Sequence, residues 1–152
     1  MLRKVKRFFA LSGEEKQLFT EAYVTLGLMR AALLLFSFKR LTRSLEQRKN
    51  ADKIIPLSDQ QRQSAMAVGM AIMRAAAHTP WESACLVQAL TAQRMLQKRG
   101  IPGVFYLGAM KEKGKDGEMK AHAWSQCGDR IITGGKGHEA FAVLSVFGWE
   151  RE

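Results

Sequence analysis

Thr79-Pro80-Trp81-Glu82-Ser83-Ala84-Cys85-Leu86-Val87-Gln88-Ala89-Leu90, continuing to Leu96-Gln97-Lys98-Arg99-Gly100-Ile101-Pro102, decides how the rest of the chain is read. Thr79 suits a helix N-cap, Pro80 the first helical position and Glu82 the third, where a carboxylate meets free backbone amides. A second start takes Ser83 as the cap and puts Cys85 inside the first turn. Either helix runs to Arg99, is stopped by Gly100 and is kept from resuming by Pro102. Leu86, Ala89, Leu90 and Leu96 form its apolar face, with Ala92 beside them.

Upstream the signals are helical. Ser12 and Glu15 have capping-box spacing, which predicts a helix from about Glu14 into Leu33-Leu34-Leu35-Phe36. The apolar run Ala22–Phe38 carries Arg30 in its middle and falls short of the roughly 20 residues a membrane span needs, so a buried helix is expected. Phe38–Arg48 is basic and either continues that helix or forms a second short one. Asn50–Pro56 reads as a linker. Ser58 with Gln61 opens another helix, whose small body Ala65–Ala77 suits close packing. Downstream of Pro102 the period changes. Val104–Met110, Lys120–Cys127, Arg130–Thr133 and Ala140–Phe147 read as strands, with a hairpin loop at Lys111–Glu118 and a tight turn at Gly128-Asp129. Helices first and an antiparallel sheet after them make an α+β pattern.

The chain has 152 residues, enough for one domain that buries about two-thirds of its unfolded surface without disulfide or metal staples. Hydrophobic residues at 47% and charged residues at 25% exclude disordered and fibrous classes. The net charge is +10, and residues 1–50 supply +7 of it with 11 basic and 4 acidic side chains. That third of the chain suits an acidic partner (phosphate, anionic lipid or acidic peptide) or serves only to keep the protein soluble. The basic run Arg3-Lys4-Val5-Lys6-Arg7 precedes too short an apolar stretch for a signal peptide. Cys85 and Cys127 then read as free thiols in a reducing cytoplasm.

Few residues can carry chemistry. His78, His122 and His138 lie outside any metal-ligand spacing, so no metal or other cofactor is expected. Gly134-Gly135-Lys136-Gly137 follows a strand but opens no helix, which excludes a phosphate loop, and no Gly-x-Ser-x-Gly elbow occurs. Phe8, Phe9 and Phe19 suit a core better than a nucleic-acid platform, and no nucleic-acid partner is expected. What remains is Cys85 near a helix N-terminus, where the macrodipole favours a thiolate, and His122 early in a strand. That pairing fits cysteine-protease or acyl-transfer chemistry.

Cys85-Leu86-Val87-Gln88-Ala89-Leu90, Arg99-Gly100-Ile101-Pro102 and Ala121-His122-Ala123-Trp124, with Pro80-Trp81 before the cysteine, closely resemble the stand-alone, transglutaminase-like leader peptidase of lasso-peptide biosynthesis. The resemblance covers essentially the whole chain. It implies a papain- or transglutaminase-like fold: a central Cys-bearing helix packed on an antiparallel sheet (residues 57–152), after a basic helical N-terminal region (residues 1–56). Cys85 would be the nucleophile and His122 the general base and acid, with amides at the helix start as oxyanion donors. The implied reaction is hydrolysis of the leader–core bond of a ribosomally made precursor in the cytoplasm. The implied partners are the leader peptide, a separate leader-recognition protein and an asparagine-synthetase-like macrolactam synthetase. No membrane span is implied, though peripheral membrane contact is allowed.

The chain departs from this family at the third catalytic position, where the usual acid, about twelve residues beyond the histidine, is replaced by Gly134. Asp129 lies seven residues from His122, roughly 20 Å of extended chain, and cannot reach the imidazole if it sits at the hairpin tip. Glu139 is the preferred candidate for orienting the ring, with a backbone carbonyl or the Gln126 amide as alternatives. His78 reads as a surface or C-terminal capping residue, Cys127 as packing, and Trp81 and Trp124 as core, with Trp124 a candidate cleft wall. On this reading the N-terminal charge, including Arg40, Arg43 and Arg48, serves docking of the leader or its carrier.

Overall fold

The computed structural model describes residues 2–48, 54–112 and 117–150. Five helices precede or interrupt a single antiparallel sheet: α1 Leu2–Phe9, α2 Gly13–Leu35, α3 Phe38–Leu41, α4 Asp59–Ala76 and α5 Cys85–Lys98. The strands are β1 Glu46–Arg48, β2 Gly103–Lys111, β3 Met119–Cys127, β4 Arg130–Thr133 and β5 Ala142–Trp149, in the order β1-β5-β2-β3-β4. The architecture is α+β, as the change of period after Pro102 predicts.

Both expected capping boxes form. The Ser12 amide donates to the Glu15 carboxylate at 2.9 Å and the Glu15 amide to Ser12 Oγ at 3.2 Å. Ser58 and Gln61 exchange the same pair, each at 3.1 Å. These bonds satisfy amides that the helix itself leaves orphaned. The segment after Ser37 forms the second short helix that was one of its two expected outcomes, and adds a strand that was not expected. It makes one short helical turn, α3, and then adds an edge strand, β1, beside β5. Three polar residues carry no readable period, so only the sheet edge they complete defines them. Most of the proposed 50–56 linker, and the tip of the loop after β2, lie outside the described residues.

Helix α5 is the centre of the molecule. It packs on β2, β3 and β4 on one side and on α2 and α4 on the other. Val87, Ala89, Leu90, Thr91, Ala92, Met95 and Leu96 are all buried. Its burial is therefore wider than the single face expected from the sequence, and Leu86 is only partly buried. Each large apolar side chain so enclosed is worth about 1.5–3 kcal/mol. Trp149, at the end of β5, closes the same core and donates its indole N–H to the Ile101 carbonyl at 2.8 Å.

Ala22 and Leu26 of α2 belong to this same core, so the boundary drawn at residue 56 does not divide the packing. The core continues through it because α5 needs α2 as a cover. Helix α2, Gly13–Leu35, runs over the span that the Ser12–Glu15 box and the Leu33–Phe36 cluster predict, and by length and composition it alone among the described helices could cross a membrane. Its inner face is buried against α4 and α5, whereas Val24, Leu28, Leu34 and Leu35 remain exposed.

Arg99 ties the end of α5 to α2. Its guanidinium donates to both oxygens of Glu21, at 3.0 and 2.5 Å, and to the Met95 carbonyl at 2.9 Å. That hydrogen bonding holds the Glu21 carboxyl below its usual range. Such a group stabilises the fold above the ordinary carboxylate pKa, about 4.3, and loses that contribution as pH falls through the lowered native value. Arg99→Met should therefore cost about 1–2 kcal/mol at neutral pH. The gap from wild type, measured by denaturant unfolding, should close as the pH is taken below about 4. A gap that is constant with pH would show that Glu21 contributes nothing through charge.

Candidate active site

Cys85 is the first residue of α5 and is half-buried. Neither expected cap operates. The helix N-cap is Ala84, which has no side-chain hydrogen bond to offer. Thr79 Oγ1 instead lies 2.7 Å from Ser83 Oγ and donates to the carbonyls of Trp81 at 3.0 Å and Ala76 at 3.3 Å. Ser83 spends its carbonyl on the Gln88 amide at 2.8 Å. The two hydroxyls thus close an irregular turn rather than cap a helix, a use that serine and threonine side chains commonly find outside helices.

The consequence is chemical. With no side-chain acceptor at the cap, the first amides of α5 keep their N–H groups free at the positive end of the macrodipole. Free amides there are ready-made donors to a developing oxyanion. Trp81 fixes the approach to this turn. Its ring packs edge-on to Tyr23 at 5.1 Å and sits over Gly27 of α2.

His122 lies on β3 opposite Gly108 of β2. The Arg99–Pro102 connection leads from α5 into β2, on which α5 packs. Thirteen helical rises from Lys98 to Cys85 cover about 20 Å, and five strand residues from Gly103 to Gly108 cover about 17 Å. Helix α5 packs on both β2 and β3, and these similar lengths allow Cys85 and His122 to lie toward the same end of the sheet. They meet it from its two faces. Ala123 and Cys127 face the helices, whereas His122 shares its face with Trp124. Among the described residues no hydrogen bond joins the Cys85 thiol to the imidazole.

The ring of His122 is held by a backbone carbonyl. Its Nε2 lies 2.7 Å from the Gly134 oxygen. A carbonyl only accepts, so Nε2 carries the proton and donates it. Nδ1 is then the atom that carries the free lone pair in the neutral ring. Trp124 stacks on the imidazole at 5.7 Å and Phe141 lies 5.0 Å from it. Gly108 permits this cover, since a Cβ there would meet the Trp124 ring and Phe141 Cβ at 2.9 Å.

Gly134, where the acid was expected, is itself constrained. Its φ is +71°, and a Cβ at this position would run into the Ala123 carbonyl oxygen and lie 3.0 Å from Trp124 Cβ. The backbone has moved into the space a carboxylate side chain would need. Glu139 is accordingly placed elsewhere. It sits in a 3-10 turn, 76% exposed, with its carboxylate 3.5 Å from His138 Nδ1. His138 Nδ1 in turn contacts the Gly135 carbonyl at 2.6 Å, and its ring lies 5.5 Å from Trp124. The expected Glu139–His122 partnership is thus replaced by the Gly134 carbonyl. Gln126 gives its amide to Gly128, and Asp129 lies 3.6 Å from Arg62 at the hairpin turn. Of the partners expected for the ring, the backbone carbonyl, first read as an alternative to Glu139, is the one found, and Gly134 supplies it.

The second thiol has a different environment. Cys127 is fully buried, and burial pushes it up to about 12, so it stays protonated and unreactive. Iodoacetamide at neutral pH should carboxamidomethylate Cys85 and spare Cys127 in the folded protein, read by peptide mass mapping. Equal labelling would contradict the burial. Gly134→Ala should cost about 1–3 kcal/mol through strain and contact. In that variant the Nε2–H of His122 should lose its hydrogen-bonded shift in long-range nitrogen–proton NMR. An unchanged signal would show that the carbonyl does not hold the ring.

No curated protein and no solved structure matches the chain. Residues 26–146 match the family described as the Transglutaminase-like superfamily, whose members are typically cysteine-dependent enzymes. The match runs from within α2 to within β5 and takes in Cys85, His122 and Gly134. A match over about four-fifths of the 152 residues places the chain in the transglutaminase-like superfamily, to which it belongs.

Proposed function

We propose that the protein is a cysteine peptidase that hydrolyses the leader–core bond of a lasso-peptide precursor. It would act with a separate leader-recognition protein and ahead of a macrolactam synthetase. The observation that supports the chemistry is the uncapped helix start at Cys85, together with an imidazole on β3 whose Nε2 is committed to Gly134. The assignment to lasso precursors rests on the resemblance of the cysteine, Arg-Gly-Ile-Pro and His-Ala-Trp segments.

The steps follow from those groups. Nδ1 of His122 takes the thiol proton of Cys85, and the thiolate sulfur bonds to the scissile carbonyl carbon. The carbonyl oxygen becomes an oxyanion facing the free amides of the first turn of α5. When the intermediate collapses, the C–N bond breaks and the imidazolium gives its proton to the leaving amine, the N-terminus of the core. The leader is left as a thioester on Cys85. Water, deprotonated by Nδ1, attacks the thioester; the C–S bond breaks and the thiolate is reprotonated. The Gly134 carbonyl keeps the ring in the tautomer both halves require. Catalytic hydrogen bonds can tighten around substrate, and the transfer requires such a closure here, because no hydrogen bond joins the two groups among the described residues.

Mass spectrometry of a precursor incubated with the protein and its recognition partner tests this reading. The expected products are leader and core with one water added between them. Cys85→Ala and His122→Asn should each lower the rate by about a hundredfold or more, while Glu139→Gln should leave it within about twofold. An amine adduct on the precursor would make the protein an acyltransferase of the same superfamily. Uncut precursor with wild-type protein would remove the catalytic reading in favour of a scaffold. Cleavage surviving Cys85→Ala would remove the thiol from the mechanism.

A further inference from the structure

We propose that α1 seats the protein on an anionic bilayer surface, independently of the chemistry at Cys85. The argument begins with the order of residues in Leu2–Phe9, LRKVKRFF. At about 100° per residue, Leu2, Val5, Phe8 and Phe9 fall within an arc of about 120°, and Arg3, Lys4, Lys6 and Arg7 occupy the opposite side. No acidic residue opens the helix and none of its residues is buried. Among the described residues, Phe8 of the apolar arc lies edge-on to Phe19 of α2 at 5.4 Å, and Lys16 of α2 lies over the Phe9 ring at 5.5 Å. Leu2 remains 79% exposed, Phe9 69% and Val5 46%.

A solvated basic patch, made only for solubility, has no need of outward leucine and phenylalanine. A basic helix with an apolar arc left uncovered matches the interface of an anionic bilayer, where the arc enters the acyl boundary and the cations meet headgroup phosphates. The exposure points the same way, because Leu2 and Phe9 stay largely open to solvent on a short helix. Behind α1 a cleft of about 780 Å³ combines Lys4, Arg7 and Arg74 with Phe8, Phe19 and Tyr23, a set that suits a phosphate head joined to an apolar chain. The neighbouring chain keeps the same sign. Between Glu21 and Glu46 every charged residue is Arg or Lys.

The test is flotation of the full chain with vesicles of phosphatidylcholine alone and of phosphatidylcholine mixed with phosphatidylglycerol. Binding to the anionic vesicles only, weakened by salt, is expected. The double variants Leu2→Glu/Phe9→Glu and Arg3→Gln/Lys6→Gln should each weaken it by about tenfold or more. These side chains are exposed, and an unchanged circular dichroism spectrum would confirm that the variants fold. Absence of binding to anionic vesicles overturns the proposal. So does binding that Leu2→Glu/Phe9→Glu leaves intact, since the apolar arc would then have no part. Retention on an immobilised glutamate-rich amphipathic peptide, with none on vesicles, assigns α1 to a protein partner and likewise overturns it.

Discussion

The enclosure of α5 governs this structure. A helix packed by a sheet on one side and by α2 and α4 on the other is buried over most of Val87–Leu96, with Arg94 exposed, and both of its ends present polar groups. At the C-terminal end Arg99 uses that freedom to clamp Glu21. At the N-terminal end Ala84 leaves the first amides without a side-chain acceptor, and Cys85 is the side chain presented there. A serine or aspartate at the cap would stabilise the helix by about 1 kcal/mol but would occupy the donors an oxyanion needs. Stability given up at this one position is consistent with a site that must stay open.

The imidazole is governed by a second constraint, the close approach of the backbone at Gly134. A carboxylate partner would both orient the ring and stabilise its charged form. A carbonyl oxygen orients it and fixes the proton on Nε2, but brings no full negative charge. The rings of Trp124 and Phe141 around His122 compensate in part by excluding water from the bond, which strengthens it. Gly108 and Gly134 are small for related reasons. One lets the aromatic cover settle on β2, and the other lets the turn after β4 come within hydrogen-bonding distance of β3.

Much of this was legible in the residues. Ser12 with Glu15 and Ser58 with Gln61 are local devices whose geometry is complete within four residues, and both form as read. Gly100 and Pro102 end α5 for equally local reasons, and the alternation after Pro102 marks β2 to β5. The readings that changed depend on distant contacts. Thr79 and Ser83 have cap chemistry but hydrogen-bond to each other, because Trp81 is drawn onto Tyr23 and Gly27 of α2. Glu46-Gln47-Arg48 is a strand only because β5 has a free edge. Glu139 was chosen for its charge, whereas the atom that reaches His122 belongs to a backbone that any residue possesses. The boundary at residue 56 came with the family resemblance and the linker reading, and packing crosses it where Ala22 and Leu26 enter the core.

The central claim is that the thiol opening α5 attacks a peptide carbonyl while the first-turn amides hold its oxygen. A peptide aldehyde ending at the last leader residue, carbon-13 labelled at the aldehyde carbon, tests it most directly. The account predicts a thiohemiacetal bonded to Cys85 Sγ, with the Leu86 and Val87 amide resonances shifted downfield by the new oxygen. The adduct should vanish in Cys85→Ala and survive loss of the Glu139 carboxylate. An aldehyde that stays free, or an adduct that leaves the first-turn amides unmoved, would contradict it.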